Sequence, residues 1–216
     1  MKISKKIFLF LFPVCLLSCS QPVAVSKTKT YEISVPLEKQ IYSSWCVPAS
    51  VLMCAEYFAN DVGWSNRSFP NLRTEDKEQT IYNILQQFGS TFYVDSQEEA
   101  PQAISYFLFN YLNISNRNMA VLFGTPFSSE EVGSLRLIIE HIKIKKRPLI
   151  SVVNENDEKT HAVVVRGVQE SNSTGEITQV YYNDPWYGKK NKSKNEWNRY
   201  SLLNNNYLTM YFEEYN

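Results

Sequence analysis

The sequence has no net charge: 22 Lys and Arg balance 22 Asp and Glu over 216 residues. A balanced chain sets up no global field, which argues against nucleic acid as a partner. No apolar run reaches the roughly 20 residues that a membrane-spanning helix needs. There are four cysteines, and only Cys46 and Cys54 lie beyond the first twenty residues. The two histidines, His141 and His161, have no Cys or carboxylate neighbours at zinc-ligand spacing, so neither a metal nor another cofactor is expected. No internal repeat and no long linker divides the chain. What is present is 44% hydrophobic and 14% aromatic residues, enough for one packed globular domain.

The first residues read as an export signal. Lys2, Lys5 and Lys6 give a basic start, and Ile7 to Leu17 is an apolar stretch too short to remain as a span. Leu16-Leu17-Ser18-Cys19 closes it and resembles a bacterial lipobox, in which the cysteine is lipidated and becomes the mature N-terminus. That resemblance implies a signal peptide over 1–18 and an anchor and tether over 19–30, with Ser26 to Thr30 as polar spacer. It also implies a lipid-anchored place in the bacterial cell envelope, with the domain facing the periplasm or outside. Residues 31–216 form the domain.

Cys46 to Phe58 predicts a helix, with Val51, Leu52, Ala55 and Phe58 at helical spacing and Pro48 in the first turn. Cys46 and Cys54 then stand about 12 Å apart along the axis, too far for a disulfide. Glu75 to Phe88, stopped by Gly89, and Pro101 to Leu112 predict two more helices. A fourth is expected from the capping box Ser128-Ser129-Glu130-Glu131 to about Lys145. Strands are expected at Leu149–Val153, His161–Val168, Ile177–Asn183 and Tyr207–Phe212. A helical first half before a strand-rich second half is an α+β arrangement, with an antiparallel sheet packed on helices.

Three segments carry chemistry. In Gln40-Ile41-Tyr42-Ser43-Ser44-Trp45-Cys46, the cysteine opens a helix, where unpaired N–H groups and the helix dipole favour a thiolate. The same N–H groups and the Gln40 amide suit an oxyanion. Thr160-His161-Ala162-Val163 puts an imidazole at the start of a strand, and Tyr182-Asn183-Asp184-Pro185 ends the next strand with a group able to orient it. Asn183 and Asp184 are both chemically able to do so, and neighbours on a strand point to opposite faces.

In this order the three segments resemble the papain-like cysteine peptidases. The likeness is to the bacterial branches related to double-glycine leader peptidases, which trim bacteriocins, and to a plant-pathogen effector protease. The resemblance implies a papain-like fold with the nucleophile helix packed on the sheet. It implies Cys46 as nucleophile, His161 as base and acid, Asp184 as its orienting partner and Gln40 as oxyanion donor. The expected substrate is a protein or peptide. Val47 stands where relatives often carry Gly or Trp, and Thr160 where many carry Gly, which touches the cleft walls and hence specificity. Two other readings stay open: a papain-fold amidase acting on cell-wall peptides, and a catalytically silent surface binding module. Cys54 reads as core, His141 as exposed on a charged helix face, and Trp186 and Tyr187 as packing. Lys189, Lys190, Lys192 and Lys194 read as a solvated basic loop.

Overall fold

The computed structural model describes residues 27–87, 99–112, 119–124, 133–154, 160–200 and 209–214. Its centre is strand β4 (Thr160–Ser171), whose residues 161–168 are all buried. The run His161-Ala162-Val163-Val164-Val165 is β-branched and near-continuously apolar, as suits a strand covered on both faces. Around it stand β1 (Thr28–Glu32), β2 (Met119–Gly124), β3 (Leu149–Asn154), β5 (Ile177–Asp184), β6 (Gly188–Ser193) and β7 (Thr209–Glu214). They form a seven-stranded sheet in the order β2-β7-β3-β4-β5-β6, with β1 pairing β4 off this path. Every pairing is antiparallel.

The long β4 serves three neighbours. Its first half pairs β3, with His161 opposite Val153, and its second half pairs β1, with Gly167 opposite Glu32. A side chain at Gly167 would bring Cβ to 3.0 Å from the Tyr31 carbonyl oxygen, so the close approach of β1 requires glycine there. β5 lies along the other edge, with Val164 opposite Asn183.

Helix α1 (Cys46–Val62) packs on β4 and β3. Val51, Leu52, Ala55 and Phe58 are buried as their spacing requires, and the Ser50 hydroxyl donates to the Ala162 carbonyl at 3.3 Å. That bond fixes the helix start beside the residue following His161. α1 ends at Gly63, whose positive φ of 77° suits glycine and whose N–H bonds Ala59. α2 (Thr74–Gln87) and α3 (Glu99–Tyr111) complete the helical half. Phe107 and Tyr111 of α3 pack on Phe69 of the 3-10 turn Phe69–Asn71 that precedes α2, the rings meeting at 4.9–5.2 Å. The α+β arrangement read from the sequence is the one observed.

Several elements differ from the expectations. The residues taken as tether are in β1 from Thr28 onward, and the Lys189–Lys192 segment is strand β6, not a loop. Both are polar strands recruited by backbone pairing to a buried neighbour, so no apolar alternation marks them. β2 and the helix α5 (Lys194–Tyr200) were not anticipated. The fourth helix runs as α4 (Gly133–Ile138) and continues as a π-helix (Ile139–Lys145). His141 on it is fully buried, a correction to the exposed reading. Position 141 lies three on from buried Ile138, inside the stripe of Leu135, Ile138 and Ile142; the flanking charges obscured this. Gly89, residues 128–131 and the N-terminal signal lie outside the described residues.

Candidate active site

The two ends of the site come from distant parts of the chain. Cys46 is the first residue of α1, after Trp45 at the N-cap position, and the first turn holds no acidic side chain. The positive end of the helix therefore faces the sulfur without local neutralisation. Cys46 is part-exposed and Cys54 fully buried, and both thiols are free. Burial pushes the Cys54 thiol well above its ordinary range.

His161 sits near the start of β4 and Asp184 at the end of β5, both buried. The His161 Nε2 lies 2.9 Å from Asp184 Oδ1. Burial works against a charged imidazole. Hydrogen bonds to Asp184 and to the Cys46 sulfur, with the negative charge of both, outweigh it and lift His161 to about 10. With Nε2 given to Asp184, Nδ1 is the ring nitrogen left for the sulfur.

Asp184 is itself held. Burial alone would raise its carboxyl, but the bond from His161 and the N–H groups of Tyr187 and Trp186 hold it below its ordinary value. Those two N–H groups donate to Oδ1 at 3.0 and 2.8 Å, closing the turn between β5 and β6. Asn183 points elsewhere: its Nδ2 donates to the carbonyls of Val35 at 3.2 Å and Pro36 at 3.0 Å. Of the two neighbours, Asp184 faces the imidazole and Asn183 pins the lead-in to α1.

Gln40 is buried, and its N–H donates to the carbonyl of Pro185, the residue after Asp184, at 3.0 Å. Its Nε2 donates to the carbonyls of Tyr42 at 2.9 Å and Ser43 at 3.1 Å, curling the strap that leads to Cys46. The opposite amide orientation would set Oε1 against two carbonyl oxygens, so the donor assignment is fixed by its surroundings. Trp186 and Tyr187, read as packing, are instead about half exposed beside Asp184. Among the described residues no group of three or more His, Cys, Asp or Glu is arranged to hold a metal ion.

Sequence reasoning missed what holds the strap from outside. The Trp45 ring stacks on Tyr82 of α2 at 5.0 Å and meets Tyr42 at 4.5 Å. The Ile41 N–H donates to Glu78 of α2 at 3.2 Å.

Comparison with known proteins bears on the family of the chain. No curated protein matches the chain significantly. Among solved structures, a similar one is a double-glycine motif protease from an AMS/PCAT transporter in complex with the leader peptide. It is 17% identical, with a TM-score of 0.47 over 86% of this chain and 95% of that one. The Peptidase_C39-like family matches residues 32–214, nearly the whole described domain. The chain belongs to the Peptidase_C39-like family and is a papain-like cysteine peptidase.

Proposed function

We propose that Cys46, His161 and Asp184 are the catalytic set of this peptidase, with Gln40 beside the oxyanion. The observation carrying the reading is the line from part-exposed Cys46 through buried His161 to buried Asp184, with the 2.9 Å contact at its far end. An imidazolium beside a sulfur at a helix N-terminus favours the thiolate, the attacking form. The thiolate adds to the scissile carbonyl carbon, and the electron pair moves to oxygen. We assign the Cys46 N–H and the Gln40 amide as donors to that oxygen, which then competes with the Tyr42 and Ser43 carbonyls for a Gln40 hydrogen. Collapse breaks the C–N bond while His161 gives its proton to the departing amine. A water then loses a proton to His161 and attacks the thioester, releasing the acid and restoring the thiolate.

Asp184 keeps His161 in the required orientation and favours its charged form throughout. The substrate is a protein or peptide chain, as expected of the family. The half-exposed Trp186 and Tyr187 flank the cleft and offer apolar contact to it.

Alkylation tests the nucleophile directly. Iodoacetamide at about pH 6 is expected to modify Cys46 at least roughly tenfold faster than Cys54. His161 keeps its proton until about 10, so a positive imidazolium stands beside Cys46 at the pH of the test, whereas Cys54 is buried and its thiol pushed up. Peptide mapping by mass spectrometry reads the ratio. Equal, slow reaction at both thiols would sink the assignment.

The localisation reading is part of the same proposal. The mature chain begins at Cys19, carries lipid there, and holds the domain at the envelope surface. Leu16-Leu17-Ser18-Cys19 after a short apolar run supports it. Among the described residues no helix is long and apolar enough to cross a membrane. The mature protein is expected in the membrane fraction, with a diacylglyceryl-modified Cys19 in its N-terminal peptide. A soluble mature chain with a free, different N-terminus would refute this.

A further inference from the structure

Glu78 is a buried carboxylate to which the chemistry above gives no task. Its side chain is fully buried on α2, in the stripe of Ile81, Ile84 and Leu85. One oxygen, Oε2, accepts the Ile41 N–H at 3.2 Å, and the other, Oε1, has no partner among the described residues. Among the described residues no cation is paired with it: Lys77 is committed to Glu56 at 2.9 Å, and the charges that act on it are the like-signed Glu38 and Glu75. A buried acid so placed is costly, and an apolar residue would fill the stripe better.

What the carboxylate touches explains why it is there. Ile41 directly follows Gln40, and the strap from Gln40 to Trp45 ends at Cys46. One face of α2 meets that strap three times. Glu75 accepts the Tyr42 hydroxyl at 3.3 Å, Glu78 accepts the Ile41 N–H, and Tyr82 stacks on Trp45. Residues 75, 78 and 82 share a helix face by their spacing of three and four. The Gln40 N–H is held from the other side by the Pro185 carbonyl. Glu78 is thus the polar grip on the residue beside the oxyanion donor.

We propose that Glu78 is a positioning residue that fixes Gln40, through the Ile41 N–H, at the oxyanion side of the cleft. The inference rests on the roles given to Cys46 and Gln40 above. Burial, partly offset by the Ile41 N–H, raises the Glu78 carboxyl to about 7, with Glu38 and Glu75 adding to the rise. Glu38 is raised to about 7 as well, by burial and by its neighbour Glu56. The ionised carboxylate is the stronger acceptor for an N–H, so the grip tightens as pH rises through neutrality.

Two reactions of the same sulfur separate this role from a structural one. Acylation by p-nitrophenyl acetate passes through an oxyanion as the thiolate displaces p-nitrophenolate. Alkylation by iodoacetamide displaces iodide at a saturated carbon and forms no oxyanion. After subtracting the Cys46→Ala background, Glu78→Ala is expected to slow the acylation burst about tenfold, with alkylation within about twofold of wild type. Glu78→Gln keeps a neutral acceptor in place. Its acylation, normalised to alkylation, is expected to match wild type at about pH 6 and fall about threefold below it at about pH 8.

Acylation within twofold of wild type in Glu78→Ala, or equal loss of both reactions, overturns the proposal. So does a ratio of wild type to Glu78→Gln that is flat with pH, which decides the matter if the alanine variant does not fold. Failure of wild-type Cys46 to react with either reagent would instead overturn the nucleophile assignment, and the role of Glu78 with it.

Discussion

Replacing Cys46 by alanine is expected to remove peptide hydrolysis, by at least roughly a thousandfold, because no other group forms the thioester. The fold is expected to survive. Cys46 is part-exposed at a helix start, and alanine is the best helix former, so circular dichroism and Tm should stay near wild type. Cys54→Ala is the matched control. Its sulfur is fully buried in the core, and its removal costs stability, about 1 kcal/mol, and little rate. Hydrolysis of fluorophore-labelled unfolded casein by both variants makes the measurement. Turnover by Cys46→Ala at a rate comparable to wild type would place the nucleophile elsewhere.

The second large effect is expected at Asp184. Asp184→Ala should lower kcat by roughly 10²–10⁴-fold, as loss of the group behind a catalytic imidazole does. Part of the elevated His161 value comes from this carboxylate, so its loss lowers the pH at which the imidazolium deprotonates. The alkaline limb of the rate profile then moves to lower pH. Asp184→Asn keeps an acceptor for the Trp186 and Tyr187 N–H groups and removes the charge, which isolates the electrostatic part. Asn183→Ala is expected to act on Tm instead, since it frees the Val35 and Pro36 carbonyls from buried bonds. A larger fall of kcat in Asn183→Ala than in Asp184→Ala would reverse the assignment. The stability term has a definite sign. Asp184 is held below its ordinary value when folded, so its contribution is present at neutral pH and is lost as pH falls through the folded value.

The parts of this architecture visible in the sequence are those where burial dictates residue type. β4 and β5 carry β-branched and aromatic runs because they are central, and α1 shows its apolar stripe because it covers β4 and β3. The position of Cys46 at a helix start, of His161 near a strand start and of Asp184 at a strand end followed from the same patterns. β1 and β6 left no such trace: Thr28–Glu32 is nearly all exposed, and Lys189 to Asn191 face solvent. Such edge strands are specified by the backbone of a neighbour, information that a local reading does not contain. Polar residues inside apolar stripes are concealed in the other direction, and of these His141 is the one read as exposed. Glu78, three before Ile81, and His141, three after Ile138, are both buried, though their chemistry suggests water. Charge alone concealed them, and spacing was the better guide.

The pairing of β1 with the far half of β4 bears on when this protein becomes active. Thr28 lies opposite Ser171, and Cys46 waits for His161 and Asp184, so residues made early find their partners only once strands far along the chain have been made. Such long-range closures are slow, because a large loop must be ordered before any contact rewards it. A nascent or truncated chain that stops short of β5 lacks the carboxylate and the strand that presents it. On the roles proposed above, Cys46 then lacks an oriented partner. The order of the sheet thus sets an order of assembly, in which the proposed set is complete only once β5 has paired with β4.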